Sequence, residues 1–253
     1  MHQSESGLGR PDFLALLGIA VGVPGLITAA APTDWPFRAL AAVWFGSIVA
    51  GGVYLTVALN REKFTHLRVE SKLSFADATA HRAFMESIRT IRCNYRDERE
   101  YCWSNISSDG TINDFVIDGE APSRRRTVAG LLQVCKEFGE PLKRGQQVQT
   151  KLRYTLIDAF PASTEFLIHN VEYSTKELVM VVELPPTRPC VEASCSLMAG
   201  MRRIASLSPP TVSGDGLRVE VVIRNPKVGS RYQLTWRWGP KPPNPSASDA
   251  VSS

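Results

Sequence analysis

The side chains best suited to binding a ligand are three consecutive arginines, Arg124, Arg125 and Arg126. A guanidinium is a planar fork of donors that matches carboxylate or phosphate oxygens two at a time. The cluster is a candidate ligand-binding site for a nucleotide second messenger, a lipid head group or an acidic partner. The plain alternative is a solvated loop with local ion pairs. Arg202 and Arg203, inside the apolar stretch from Leu197 to Leu207, form a weaker candidate of the same kind. Asp158 and Glu165 flank the loop Ala159-Phe160-Pro161 and read as solvated loop carboxylates rather than as a general acid and base. The four histidines, His2, His66, His81 and His169, lack the spacing of a helical metal pair, and none sits beside a cysteine pair. There is no phosphate-cradling glycine loop and no nucleophile elbow. No catalytic residue, metal or cofactor is therefore expected, and the function is read as non-enzymatic.

The five cysteines, Cys93, Cys102, Cys135, Cys190 and Cys195, are odd in number and irregular in spacing, with no CxxC pair. Free, reduced thiols are expected. Asn105-Ile106-Ser107 is a formal glycosylation sequon, without meaning in a cytoplasmic or bacterial domain. A net charge of +4 is too small to argue for nucleic acid as a partner.

The elements that would position such side chains fall into two groups. In the C-terminal half, apolar and polar residues alternate with period two. The sets are Val148, Leu152, Tyr154 and Leu156; Phe166 and Ile168; Leu178, Met180, Val182 and Leu184; Leu217, Val219, Val221 and Ile223; and Tyr232, Leu234, Trp236 and Trp238. Such alternation predicts strands with one face on a core and one in water. Trp236 and Trp238 share a face with Leu234 and read as core, a base-stacking platform being the alternative. Ser108-Asp109-Gly110 marks a turn, and Asn225 to Gly229 reads as a hairpin loop. Upstream, Phe84, Ile88 and Ile91 recur at helical spacing among charges, and Phe64, Leu67 and Leu73 do so more loosely. They predict an amphipathic helical connector over 61–100. Val128, Leu131, Leu132, Cys135 and Phe138 predict a further short helix.

The N-terminal group is an apolar hairpin with arms Phe13–Ala31 and Ala39–Leu59, broken at Pro32-Thr33-Asp34-Trp35-Pro36. Each arm is uncharged and long enough, at roughly 1.5 Å per residue, to cross a hydrocarbon core of about 30 Å. Ala29-Ala30-Ala31 resembles a signal cleavage site, and a buried soluble helical hairpin is a further alternative; after cleavage the second arm would still anchor the chain. Gly18 and Gly22, Gly46 and Ala50, and Ser47 and Gly51 are small-residue pairs. They allow close packing of helices in lipid, within the hairpin or in a homo-oligomer. Arg61, Lys63, Arg68 and Lys72 follow the second arm, which places both termini in the cytoplasm of a multi-pass inner-membrane protein.

The expected organisation is a two-helix transmembrane hairpin over 1–60, the connector over 61–100, a β-rich cytoplasmic domain over 101–239 and a disordered tail over 240–253. The fold class is a membrane α-hairpin plus a mainly-β soluble domain, an antiparallel sandwich or barrel with one or two flanking helices. This order of parts resembles the two-transmembrane, β-strand-rich effectors of bacterial cyclic-oligonucleotide anti-phage systems. The resemblance implies that a cyclic nucleotide binds the β domain, drives oligomerisation and lets the hairpins disrupt the membrane. It carries no site residue with it. The rival expectation is a membrane-anchored scaffold whose β domain recruits a protein.

Overall fold

The computed structural model describes residues 62–76, 79–128, 130–200 and 202–239. The hairpin over 1–60, with Gly18, Gly22, Gly46, Ser47, Ala50 and Gly51, and the tail over 240–253 lie outside the described residues. The chain divides into two units, 1–61 and 62–253, and all described residues belong to the second.

The described residues form fourteen strands and no helix. In chain order they are β1 (Phe64–Phe75), β2 (Arg82–Cys93), β3 (Glu98–Ile106), β4 (Thr111–Ile117), β5 (Arg124–Val128), β6 (Leu131–Leu142), β7 (Gln147–Ile157), β8 (Thr164–Asn170), β9 (Glu177–Glu183), β10 (Cys190–Ala199), β11 (Arg202–Ser206), β12 (Thr211–Val212), β13 (Arg218–Arg224) and β14 (Arg231–Trp238). The expected mainly-β domain is therefore present and begins near residue 64. The expected helical connector over 61–100 is instead the antiparallel pair β1 and β2. The apolar residues Phe84 and Ile88 that suggested a helix lie on the outward face of β2. Ala83, Met85, Ser87, Arg89, Ile91 and Cys93 face inward. Two polar residues in that inward set hid the period-two signal. The short helix expected around Val128–Phe138 is the hairpin of β5 and β6, turned at Gly130, whose φ of 80° suits glycine.

A seven-stranded sheet in the order β12-β13-β9-β1-β2-β7-β4 spans the domain. It is not purely antiparallel, because β1 and β9 run parallel. Two smaller sheets, β11-β10-β14-β8 and β3-β6-β5, pack beside each other on one of its faces. Under the first lies a core of Val69, Leu73, Met85, Leu178, Met180, Val182, Leu234, Trp236 and their neighbours. Under the second lies a core of Phe64, Ile91, Tyr101, Trp103, Val134, Phe138, Leu142 and Leu152. On β2 and β7 alike, one inward row feeds both cores. Met85 and Leu156 serve the first, while Ile91 and Leu152 serve the second.

Trp236 and Trp238 are buried, as their shared face with Leu234 predicted. Two turn readings change in meaning. Asn225–Gly229 does not close a hairpin: β13 belongs to the large sheet and β14 to the four-stranded one, so the loop is a corner between layers. Ser108-Asp109-Gly110 likewise carries the chain from β3 to β4 in a different sheet. A Cβ on Gly110 would lie 2.1 Å from the carbonyl oxygen of Ile157, so only glycine fits this approach.

Candidate ligand-binding site

The buried apolar residues form two cores that meet only at their margins, where the partly buried Ile112 and Tyr154 pack against both. Between them, the inward face of the large sheet carries polar residues. Ser71 on β1 sits opposite Ser87 on β2, and Arg89 lies one inward step along β2, in register with Val69 and Thr150. His66 of β1 and His169 of β8 complete this seam, and all are buried. Alternation forces these side chains inward once β1, β2 and β8 are strands. Burying so many polar groups is costly unless each is satisfied, and here Ser71, Ser87, Arg89 and His169 border a cavity of about 280 Å³.

The floor of the cavity is the large sheet, with Ser71, Ser87, Arg89, Leu152 and Tyr154. One wall is β3 and the loop after it, from Trp103 to Asp109. The other is β8, from Glu165 to Asn170. The space therefore opens where the two covering sheets abut. Ser71, Ser87, Arg89 and Leu152 of the floor are buried, whereas Asn105 near the end of β3 and Ser107 and Asp109 on the loop are exposed.

Arg89 is the central group. Its Nη1 donates to the Tyr101 hydroxyl at 2.8 Å, and its Nε donates to Ser87 Oγ at 3.4 Å. The guanidinium carbon lies 5.9 Å from the Tyr101 ring centroid and 5.7 Å from that of Trp103, within cation–π range. No carboxylate pairs with Arg89 among the described residues. The Tyr101 hydroxyl in turn shares a hydrogen bond with His66 Nε2 at 2.8 Å. Ser71 Oγ and His169 Nδ1 are 3.2 Å apart. Trp103 Nε1, fully buried in the wall, has no hydrogen-bond partner among the described residues.

The electrostatics follow from burial beside an uncompensated cation. Burial first, and Arg89 second, hold His66 down to about 2 and His169 down to about 3, so both imidazoles are neutral. Burial pushes the Tyr101 hydroxyl up to about 12 and outweighs the opposing pull of Arg89. The acids of the cavity are otherwise engaged or exposed. Glu165 is buried, accepts from the Ala162 N–H and is raised above the usual carboxylate range by burial. Glu172 accepts from Asn105 Nδ2, and Asp109 is exposed.

Arg124, Arg125 and Arg126 do not line this cavity. They form the exposed edge strand β5, whose alternation sends Arg125 to the face opposite the other two. Arg124 pairs with Glu100, Arg125 lies 4.8 Å over the Phe115 ring, and Arg126 donates to Gln133 at 2.6 Å. Arg202 and Arg203 are exposed on the edge strand β11. Asp158 is exposed and paired with His81, while Glu165 belongs to the cavity wall and is not a solvated loop residue. On β8 the facing expected from sequence is reversed: Glu165, Leu167 and His169 point inward, and Phe166 is exposed.

The thiols are not all free. Cys102 and Cys135 face each other across β3 and β6 and form a disulfide, whereas Cys93, Cys190 and Cys195 are free and buried. Glu100, Cys102 and Cys135 converge closely enough to suggest a metal site. With the two sulfurs bonded to each other, the group lacks its thiolate ligands.

No family model matches the chain, and no curated protein matches it in sequence. Distant proteins of solved structure are similar to it over part of their length. An M1 zinc metallopeptidase from Deinococcus radiodurans is 11% identical with a TM-score of 0.40, covering 68% of this chain and 42% of the other. The chain thus spans less than half the length of that peptidase. A Legionella pneumophila protein described as a candidate nutrient-binding protein is 10% identical with a TM-score of 0.44, covering 68% and 67%. At this distance neither carries an argument about function.

Proposed function

We propose that the β domain is a receptor for a small molecule, carried on a membrane hairpin, and that the chain acts as a non-enzymatic sensor or effector. The observation that supports this most is the polar seam. A domain that needed only stability would fuse its two apolar cores, because an unsatisfied buried polar group costs on the order of 1–3 kcal/mol. Here a cavity lined by Ser71, Ser87, Arg89 and His169 lies beside both, and the two cores are joined through the partly buried Ile112 and Tyr154.

At about 280 Å³ the cavity is at the small end of the range for small-molecule sites, roughly 300–1,000 Å³. That favours a single small ligand over a cyclic oligonucleotide held whole. A nucleotide second messenger remains part of the proposal only as a monomeric ligand. The ligand would act by binding the associated state of the chain more tightly than the separate one. The small-residue pairs Gly18/Gly22, Gly46/Ala50 and Ser47/Gly51 support association in the bilayer. Membrane disruption in anti-phage defence is one output of such a device.

The side of the membrane is part of the proposal. The basic residues after the second arm support a cytoplasmic domain. The Cys102–Cys135 bond favours an oxidising compartment instead. Protease protection of a C-terminal tag in sealed inverted vesicles decides it: digestion means cytoplasmic, protection the opposite.

The receptor reading is tested by thermal unfolding of the purified chain against a panel of nucleotides and small metabolites. At least one compound should raise the midpoint in proportion to the logarithm of its concentration. A panel without effect, together with full function after replacing the hairpin by an unrelated anchor, would favour the scaffold.

A further inference from the structure

We infer that the cavity takes a small molecule bearing a carboxylate or phosphate group, and that this oxyanion sits on the buried floor against Arg89. The inference rests on the receptor reading and names the ligand chemistry of that site.

Three observations carry it. First, Arg89 is 91% removed from solvent on a 9% exposure, yet among the described residues only a tyrosine hydroxyl and a serine hydroxyl accept from it. A buried arginine ordinarily has a carboxylate partner, because an isolated ion in a low-dielectric interior is strongly disfavoured. No carboxylate among the described residues supplies that partner, and a bound oxyanion would do so. Second, the groups around Arg89 are those that complete an oxyanion site. Ser71 and Ser87 bring hydroxyls to the cavity, and the fully buried Trp103 Nε1–H in the wall has no acceptor among the described residues. An oxyanion is acceptor-only and suits a lining of such donors. Third, the acids do not compensate Arg89. Glu172 is held by Asn105, Glu165 by the Ala162 N–H, and Asp109 lies at the exposed loop.

Those same acids set the other end of the ligand. A second anionic group near Asp109 and Glu172 would be repelled, so the remainder of the molecule is neutral or cationic. The ligand class is thus a singly charged oxyanion or a zwitterion of modest size. A carboxylate and a phosphate share the chemistry that Arg89 recognises, and the planar and tetrahedral groups are separated by experiment.

The test uses the full chain, ¹⁵N-labelled on its tryptophans, in detergent. The Trp103 indole resonance is assigned by its loss in Trp103→Phe. Fragment pools of neutral, cationic, carboxylate and phosphate-monoester compounds are added at equal ionic strength. The expected result is a saturable shift of the Trp103 signal with carboxylate or phosphate fragments only, weakened at least tenfold in Arg89→Met. Which of the two anionic pools acts identifies the source. Arg89→Lys keeps the charge but not the fork, and it should retain weak binding. Saturable shifts with neutral or cationic fragments, unchanged in Arg89→Met, would overturn the oxyanion assignment while leaving the receptor reading intact. No shift from any pool would overturn both.

Discussion

Single residues set the chemistry of this domain, and His66 and His169 show how. Both are neutral when folded, at about 2 and about 3, against an ordinary value of 6.5. The unfolded chain therefore binds more protons than the folded one below pH 6.5. Stability is complete above that pH and is lost as pH falls through the window down to about 3. Each histidine contributes a slope of about 1.4 kcal/mol per pH unit in that window. Denaturant unfolding between pH 7.5 and 5.5 should show this loss, with the slope roughly halved in His169→Gln; a flat profile would contradict the burial of both imidazoles. Gly110 is a second residue-scale case. Its missing Cβ admits the carbonyl of Ile157, so Gly110→Ala should destabilise by roughly 1–3 kcal/mol. A calorimetric midpoint unchanged by that substitution would show that the corner is looser than its geometry.

At the scale of elements, the same polar residues that make the site also concealed it. β7, β13 and β14 were legible because their inward rows are apolar apart from Thr150 of β7, and β9 because it is apolar on both faces, with Val179 and Val181 buried as well. In β1 and β2, the inward positions include His66, Ser71, Ser87 and Arg89, so apolar residues on both faces mimicked a helical stripe. In β8, Glu165 and His169 point in and Phe166 points out, and the hydrophobic signal assigned the faces backwards. Local pattern and global fold conflict where function is concentrated. The arginine triplet, by contrast, was conspicuous in sequence and lies on an edge strand where each member has its own neighbour. The disulfide was invisible because its partners are 33 residues apart and meet only through the pairing of β3 with β6. It clamps the strand that presents Trp103 to the cavity. Peptide mapping without reductant should recover Cys102 linked to Cys135, and reduction should cost about 3 kcal/mol of stability. Recovery of both peptides unlinked from freshly isolated protein would contradict this, and would remove the argument for an oxidising compartment.

For the whole molecule, one large sheet covered by two smaller ones leaves a gap that is filled by polar side chains and space rather than by apolar packing. If the hairpin associates when the gap is filled, Gly18→Leu with Gly22→Leu should abolish ligand-induced cross-linking in membranes and leave ligand binding unchanged. Cross-linking that survives both changes would detach association from these helices. All of this depends on Arg89 being a cation for which no described residue supplies a counter-charge. The most direct measurement is the unfolding free energy of Arg89→Met beside the natural protein in a buffer of chloride alone. A charge kept for a ligand costs stability when the ligand is absent, so the variant should be as stable or more stable, by up to a few kcal/mol. A loss of about 3 kcal/mol or more, as expected on breaking a buried ion pair, would mean that Arg89 is a structural residue and would contradict the account.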